Sequence, residues 1–434
     1  MRRYVQYMYS YPHKTAYRPL EGVSLEDRAG LLADRENEWY IHLPFCESKC
    51  GYCNLFSVAG ADPALIEAYL DRVEIQASQY REMFERQEKM PVFSSLTVGG
   101  GTPLLLSPAQ LQRMFSIVKR TAPMTEKPEI IVETAPNQTT EEKLALLREN
   151  GVTRVSIGVQ SFLDSELLTM GRRHRAAQAE KALELMKQTG FDCVNLDLIY
   201  GVPGQTKESF LFSVAKAVSF EPQELFLYPL YVRKGVSMAE GIADEEQAYS
   251  LYCEAVSFLK ARGYRRDSMR RFVRSDRPMS FRECGYGNTL SLGCGGRSYL
   301  GNLHACAPFA VRPSQCRKRI QEFLNTEDYL AVPYGIVLSE DEEKRRYSAK
   351  HLLFGPGISL DAYRSRFGTE PEADFPFLRQ WKEQGLALEE ERTQETGERG
   401  LILGLTEEGI GWSDALGPEF ISSEVRRKME EFQI

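Results

Sequence analysis

From about residue 36 the chain alternates short runs of β-branched and aromatic residues with longer amphipathic stretches. EWYIHLP (38–44), SSLTVGG (94–100), EIIVETA (129–135), RVSIGVQS (154–161), CVNLDLIYG (193–201) and ELFLYPLYV (224–232) have the length and composition of strands. Between them, 63–88, 107–120, 139–149, 164–188 in two pieces and 206–219 read as helices, with 243–261 following the sixth strand. This alternation predicts an α/β protein of βα units around a parallel sheet. Six units with right-handed crossovers form a partial (β/α)6 TIM-like barrel, short of the eight that close one, with an open side that admits a bulky substrate.

The texture changes after Gly263. An Arg-rich stretch, YRRDSMRRFVRSDR (264–277), is followed by a Gly- and Cys-rich run, ECGYGNTLSLGCGGRSYLGNLHAC (283–306). From 333 the chain takes on helix–helix–hairpin texture, with 386–406 as a long-looped hairpin and 415–431 as a terminal helix. The expected organisation is an N-terminal arm packed on the rest (1–35), the partial barrel (36–262), a barrel extension (263–332) and a small helical, winged-helix-like C-terminal domain (333–434). Neither an internal repeat nor a low-complexity tract interrupts it.

Composition narrows the class. In 434 residues, 54 Lys and Arg stand against 61 Asp and Glu for a net charge of −7, with 42 % apolar and 26 % charged residues. That excludes a basic nucleic-acid protein and a disordered chain. The N-terminus lacks the apolar core of a signal peptide, and no stretch approaches the roughly 20 apolar residues of a membrane span. The expected location is therefore cytoplasmic, with neither nucleic acid nor membrane as partner. Nine cysteines, an odd count, argue for reduced thiols and ligands rather than a disulfide framework.

Cys46-x-x-x-Cys50-x-x-Cys53, in the loop after the first strand, is the strongest chemical signal. Three thiolates on one short loop can converge on one metal centre. A structural zinc wants four protein ligands and a fully ligated iron–sulfur cluster four cysteines. Three leave one iron of a 4Fe-4S cluster open, and S-adenosylmethionine fills such a position by chelating through its amino and carboxylate groups. The plainer readings are a zinc knuckle completed by His42 or a distant cysteine, and three buried thiols.

Other residues gather at the same ends of the strands. GGGTP (99–103) lets backbone amides approach a ligand without a Cβ in the way. Glu133 can accept hydrogen bonds from a ribose or an ammonium, or pair with an arginine. Gln160 closes a strand in which Val155, Ile157 and Val159 alternate with Ser156 and Gly158, so its amide points into the barrel mouth. Arg172 offers a fork for a carboxylate, whereas Arg173 and Arg175 fit a solvated helix start. Asp197, between Leu196 and Leu198, is costly to bury without a ribose or an ion-pair partner.

With YIHLPFC…C..C, GGGTP, Glu133, RVSIGVQSF (154–162), Arg172 and NLDLIYGVPGQT (195–206) in order, the chain resembles the radical S-adenosylmethionine proteins and, among them, the oxygen-independent coproporphyrinogen III oxidase family, over roughly residues 36 to 305. The resemblance implies a 4Fe-4S cluster on Cys46, Cys50 and Cys53 and two S-adenosylmethionine molecules. It puts Tyr40, Gly100 and Glu133 on the cluster-bound molecule and Tyr52, Gly101, Thr102, Gln160, Arg172 and Asp197 on the second. It further implies an oxidoreductase of porphyrin biosynthesis. An electron donor such as flavodoxin or ferredoxin reduces the cluster, S-adenosylmethionine is cleaved to a 5′-deoxyadenosyl radical, and that radical takes hydrogen from the substrate. In the family that hydrogen comes from a propionate, which loses carbon dioxide and becomes a vinyl group; related members are haem chaperones and radical methyltransferases.

Two departures bear on the substrate. The decarboxylating oxidases carry a further cysteine two residues after the third ligand, whereas Cys53 here is followed by Asn54, Leu55 and Phe56, which looks more like the haem-chaperone branch. The Arg265 to Arg277 loop reads either as a solvated surface or as a clamp for an anionic tetrapyrrole. Cys284, Cys294, Cys306 and Cys316 are irregularly spaced and read as buried or free thiols, Cys193 and Cys253 as packing residues on a strand and a helix, His304 as structural, and Trp412 as core of the terminal module.

Overall fold

The structure, a computed structural model, describes residues 2–33, 37–231, 244–277, 285–393 and 399–432. All six expected strands form: β1 (Asn37–Leu43), β2 (Phe93–Gly100), β3 (Met124–Thr134), β4 (Arg154–Gln160), β5 (Cys193–Tyr200) and β6 (Glu224–Pro229). They lie side by side in chain order and every neighbouring pair is parallel. Position 232, at the end of the expected sixth strand, and 243, at the start of the following helix, lie outside the described residues.

The crossovers are α1 (Pro63–Glu85), α2 (Pro108–Thr121), α3 (Glu141–Glu149), α4 (Asp164–Thr169), α5 (Ala176–Thr189) and α6 (Lys207–Ser219), with α7 (Glu245–Ala261) after β6. Their starts are written locally. Asp62 caps α1 ahead of Pro63, and Ser107 with Gln110 closes a capping box ahead of Pro108. Gly190, at φ 74°, ends α5 in the left-handed conformation that glycine adopts without a Cβ penalty.

The strands bury one face under these helices and leave the other facing a hollow. In β4, Val155, Ile157 and Val159 are buried, while Ser156, Gly158 and Gln160 are half-buried on the inner side. A strand alternating in this way lines a cavity instead of filling a core.

The sheet runs past the expected six strands on both flanks, to thirteen in all. Next to β6 an antiparallel hairpin of β7 (Tyr264–Arg266) and β8 (Arg271–Arg274) is added. On the far side β9 (Asn288–Leu292) lies parallel to β1, followed by β10 (Arg297–Leu300), β11 (Leu303–Cys306), β12 (Tyr334–Val337) and the Arg18–Pro19 pair of the N-terminal arm, each antiparallel to its neighbour.

The Arg-rich stretch is neither a solvated loop nor an open clamp. Arg271 lies between Glu224 at 2.5 Å and Asp267 at 3.2 Å, and Arg270 meets Asp414 at 2.6 Å with both side chains 2 % exposed. Arg266 pairs with Glu407 and Arg274 with Asp276. The hairpin lies where the C-terminal segment packs, so Arg270 and Arg271 are buried and meet Asp414 and Glu224, acids remote in sequence that the local charge pattern does not reveal, while Arg277 is exposed.

The C-terminal segment keeps the expected order of helices and hairpin. Helices Glu340–Phe354, Leu360–Phe367 and Phe377–Glu383 pack on an antiparallel sheet of Ile358–Ser359, Ala387–Thr393 and Arg399–Leu405. The terminal helix is shorter than expected, Ser423–Glu430, because Gly417 and Pro418 start a separate turn, Gly417–Phe420. Met8, Tyr11 and Ala16 of the arm are buried in the same hydrophobic cluster as Leu353, Trp381 and Phe420, so the arm laces this segment to the sheet. Arg3 stacks between Tyr249 and Trp412 at 3.5 and 3.4 Å from their ring centres. Among the described residues no helix is long and apolar enough to cross a membrane.

Breaking a buried ion pair strands the remaining charge. Asp414→Ala leaves Arg270 with the Tyr231 hydroxyl as its remaining hydrogen-bond acceptor, and we expect a loss of about 3–5 kcal/mol of unfolding free energy. The shift of the urea unfolding midpoint measures it; a variant within error of the parent would show that this contact does not hold the C-terminal segment down.

Candidate functional site

The inner face of β1 to β6 opens into a cavity of about 730 Å³ whose lining includes Tyr40, Cys46, Cys50, Tyr52, Cys53, Gly100, Gly101, Thr102, Glu133, Gln160, Arg172 and Asp197. The fold therefore brings all the sequence-predicted site residues to one cavity. What differs is how several of them are held.

The cysteine loop leaves β1 through a short parallel pairing of Phe45–Cys46 with Val58–Ala59. Its backbone is braced from outside, the Gly51 N–H donating to Met170 O at 3.1 Å, and from inside, the Cys53 N–H donating to Cys50 O at 3.1 Å. Lys49 lies along the loop and donates to Leu55 O, Ser57 O and Val311 O at 3.2, 3.3 and 2.7 Å. Thr102 Oγ1 lies 3.8 Å from Cys46 Sγ, and Arg172 Nη1 donates to Cys50 Sγ at 3.3 Å. Burial pushes the Cys46 thiol up, and the neighbouring Cys53 and Cys50 add to this.

Among the described residues no three His, Cys, Asp or Glu side chains gather around a single ion. The three thiols instead line one wall of a cavity, a donor set suited to a polynuclear cluster with bulk of its own. His42 does not complete a zinc site. Tyr40 Oη donates to His42 Nδ1 at 3.2 Å, His42 Nε2 donates to Phe56 O at 2.9 Å, and burial lowers the ring's pKa to about 3.

The glycine run does something other than free its amides for a ligand. The Gly100 N–H donates to Glu133 at 3.2 Å, the Gly101 N–H to Leu43 O and the Thr102 N–H to Phe45 O, each at 2.8 Å. A Cβ on Gly99 would come within 2.9 Å of the Glu133 carboxylate, and one on Gly101 would run into Phe45 O and lie 2.9 Å from Cys46 Sγ. These glycines give strand end, cysteine loop and carboxylate room to meet.

Glu133 and Asp197, two of the carboxylates on the cavity, lack an ion pair among the described residues. Burial, with Asp197 adding to it against the Gly100 N–H, raises Glu133 to about 7. Burial likewise raises Asp197 to about 6, while the Asn195 amide, donating at 2.9 Å, and Arg154 and Arg172 pull it down. Glu133 is not held by an arginine and Asp197 is not half of a salt bridge, so the structural alternatives for both fall away. Raised carboxylate pKa values carry a stability cost: the contribution is whole below the unfolded pKa near 4–4.5 and is lost as pH rises through 6 to 7.

Gln160 sits at φ 72°, a left-handed conformation uncommon outside glycine, and its Oε1 is buried without a partner. The Arg172 Nε is buried and orphaned as well. Gly158 admits both side chains, since a Cβ there would lie 2.8 Å from Gln160 Nε2 and 3.5 Å from Arg172 Nη2. Unsatisfied buried polar atoms on a cavity wall are costly unless a bound group meets them. Three thiols, two unpaired carboxylates and these orphaned atoms together fit a cluster with a polar, cationic nucleoside cofactor.

Sequence reasoning missed several residues. Lys49 lay inside the cysteine motif and its position was a signal; Asn195 stood two residues from Asp197. Lys14 and Arg297 also line the cavity, with no local pattern to mark them. The remaining cysteines stay outside the cavity lining: Cys294 and Cys316 are buried, Cys193 and Cys306 half-buried. Cys253 is exposed and does not pack as expected, and Cys284 lies outside the described residues. His304 is buried with its ring edge-on to Tyr299 at 4.6 Å, a structural placement, and Arg173 and Arg175 are exposed.

Comparison with known proteins agrees with this cavity. Residues 40–216 match the radical SAM superfamily. The chain is 27 % identical over 382 residues to the haem chaperone HemW of Bacillus subtilis, covering 84 % of this chain and 96 % of that protein. It is 26 % identical over 377 residues to the oxygen-independent coproporphyrinogen III oxidase of Escherichia coli, covering 80 % of each. In fold it follows the solved coproporphyrinogen III oxidase of Escherichia coli with a TM-score of 0.80 at 23 % identity, over 95 % of this chain and 96 % of that one. Residues 40–216 thus carry a radical S-adenosylmethionine domain, whose cofactors are a 4Fe-4S cluster and S-adenosylmethionine, and over most of its length the chain is of the type shared by haem chaperones and oxygen-independent coproporphyrinogen oxidases.

Proposed function

We propose that this chain is a radical S-adenosylmethionine oxidoreductase acting on an anionic, carboxylated tetrapyrrole of the coproporphyrinogen kind. The observation that carries the reading is the meeting, on one cavity, of three thiols, two unpaired carboxylates and the buried orphan atoms of Gln160 and Arg172. Cys46, Cys50 and Cys53 would hold the cluster, and Tyr40, Gly100 and Glu133 the S-adenosylmethionine upon it. Tyr52, Gly101, Thr102, Gln160, Arg172 and Asp197 would line a second molecule. Together the cluster and its nucleoside supply a one-electron route to homolytic removal of hydrogen from a carbon.

The chain's own residues position and protect. Lys49 ties the loop so that the thiols keep one geometry, and the Arg172 hydrogen bond offsets charge on Cys50. Glu133 and Asp197, whose pKa values burial raises, are drawn further to the ionised form once a sulfonium or ammonium lies beside them. An electron donor such as flavodoxin or ferredoxin would approach from the loop side, where Leu55 is 51 % exposed.

A second reading, a haem chaperone that keeps the cluster without turnover, is favoured by the Asn54–Leu55–Phe56 sequence after Cys53. Against haem ligation inside the cavity, both histidines lining it are committed: His42 to Phe56 and Tyr40, and His174 to Val159 O at 3.0 Å. Anaerobic reconstitution with reductant and S-adenosylmethionine separates the readings. Release of 5′-deoxyadenosine that depends on coproporphyrinogen III, with a vinyl product, supports the oxidase; haem retention without turnover supports the chaperone; S-adenosylhomocysteine would mark methyl transfer.

Cys50→Ala is expected to abolish the cluster's visible absorbance and 5′-deoxyadenosine release together; a variant still cleaving the sulfonium would remove Cys50 from the ligand set. Asp197→Asn should weaken nucleoside binding about tenfold at unchanged iron content, the loss of one hydrogen bond to a charged group.

A pH series tests Glu133. If the cationic nucleoside binds the ionised carboxylate, a group titrating near 7 makes affinity fall about tenfold from pH 8 to pH 6. Glu133→Gln should flatten that dependence in anaerobic equilibrium dialysis, and an unchanged slope would assign it to another group.

A further inference from the structure

Lys14 and Arg297 lie far apart in the sequence and line the same cavity as the cysteine loop. Lys14 starts a 3-10 turn of the arm, Lys14–Ala16, and its ammonium donates to Gly295 O at 2.6 Å. Arg297 opens β10, 9 % exposed, with Nη1 donating to Tyr299 Oη at 3.1 Å and Nη2 to Tyr9 Oη at 3.0 Å. Its Nε is buried without an acceptor.

Among the described residues no carboxylate lies within ion-pair distance of either cation. Elsewhere on the cavity wall the fold supplies one: Arg154 and Arg271 share Glu224 at 2.7 and 2.5 Å. Burial lowers the pKa of Lys14 and the nearby Arg297 lowers it further, so two like charges are held together out of water. Such an arrangement is costly, and an anion between them removes the cost. Hydrogen-bonding capacity remains for one, since the ammonium has three donors and the guanidinium five, of which those named use one and two.

The seat is next to the reacting end of the cavity. A Cβ on Gly295 would lie 2.9 Å from the His42 ring, and one on Gly296 would lie 2.9 Å from Tyr40 Cδ1. An anion on Lys14 and Arg297 is thus beside the residues assigned to the cluster-bound nucleoside.

We propose that Lys14 and Arg297 form a carboxylate seat that holds one acidic side chain of the substrate against the radical centre. Arg266, Arg270, Arg271 and Arg274 of the Arg265 to Arg277 segment, the sequence's own candidate for that task, are engaged with protein acids; Lys14 and Arg297 are two cavity cations without one among the described residues. In choosing a substrate side chain the proposal rests on the tetrapyrrole reading above, but the seat's affinity for a carboxylate does not.

The test uses the full-length, anaerobically reconstituted protein. Coproporphyrin III, with four carboxylates, is titrated against the parent, Lys14→Gln and Arg297→Gln, and its tetramethyl ester serves as the uncharged control. Each substitution should weaken coproporphyrin binding about ten- to hundredfold, as expected for a charge-assisted hydrogen bond, and leave the ester and S-adenosylmethionine unaffected. Arg297→Lys, which keeps the charge, should restore most of the binding and guards against a fold defect. Weakened S-adenosylmethionine binding with unchanged coproporphyrin binding overturns the proposal, because the anion is then the cofactor's own carboxylate.

Should the parent bind no coproporphyrin, the tetrapyrrole reading fails and a second readout decides the seat. Acylation of Lys14, followed by peptide mass spectrometry, is compared with glutarate and with glutaramide present. Protection by the diacid alone, lost in Arg297→Gln, upholds the seat; equal labelling under both conditions overturns it.

Discussion

Three glycines in a row set how closely the end of β2, the cysteine loop and β3 approach, and the site depends on that approach. A side chain at 99 would occupy the space of the Glu133 carboxylate, one at 100 would lie 2.8 Å from the His42 ring, and one at 101 would strike Phe45 O. Gly100 also sits at φ 117°, where an L side chain is strained. At 101 the obstacle is backbone, whereas at 99 and 100 it is chiefly the Glu133 carboxylate and the His42 ring. With the glycines in place, the amides of Gly101 and Thr102 hold the start of the cysteine loop through Leu43 O and Phe45 O, and Cys46 follows directly. The run builds the site before any ligand arrives.

Charge around the cavity divides into two regimes. On one side Glu224 lies between Arg154 and Arg271, and although burial pushes Glu224 up, the two guanidiniums win and leave it below the usual carboxylate range. On the other side Glu133 and Asp197 have no cation at ion-pair distance, burial wins, and both pKa values rise. The first arrangement is complete as it stands and serves the fold. In the second, burial raises the pKa values toward neutral pH and a cation lying beside the carboxylates draws them further to the charged form, which suits a site for a sulfonium nucleoside.

Much of this was legible because it is local. Strand and helix periodicity, the caps at Asp62 and Ser107, and the cysteine spacing each depend on a few adjacent residues, and the six strands formed close to where the hydrophobic runs placed them. What escaped is written in pairs far apart. Arg270 finds Asp414 and Arg271 finds Glu224 only after the sheet gains its flanking hairpin, so two arginines of a segment read as solvated surface or clamp become interior. The extension of the sheet through β9 to β12 was obscured by glycine and short strands, which break the alternation that marks a strand. Lys14 is one lysine in a polar arm until Gly295, 281 residues away, supplies its acceptor.

The arm therefore has more than a structural part. A partial barrel leaves its side open, and here the opening is bordered by the β9 to β12 extension together with Tyr7, Tyr9 and Lys14 of the arm, which line the cavity. The same arm buries Met8 and Tyr11 in the hydrophobic cluster of the C-terminal segment and places Tyr9 on the guanidinium of Arg297. A ligand entering from that side meets groups held jointly by the sheet extension, which carries Arg297 and the Gly295 acceptor of Lys14, and by the arm anchored in the C-terminal core. The border of the cavity and the cysteine loop are thus carried by different parts of the fold, and one can change while the glycine-built site stays as it is.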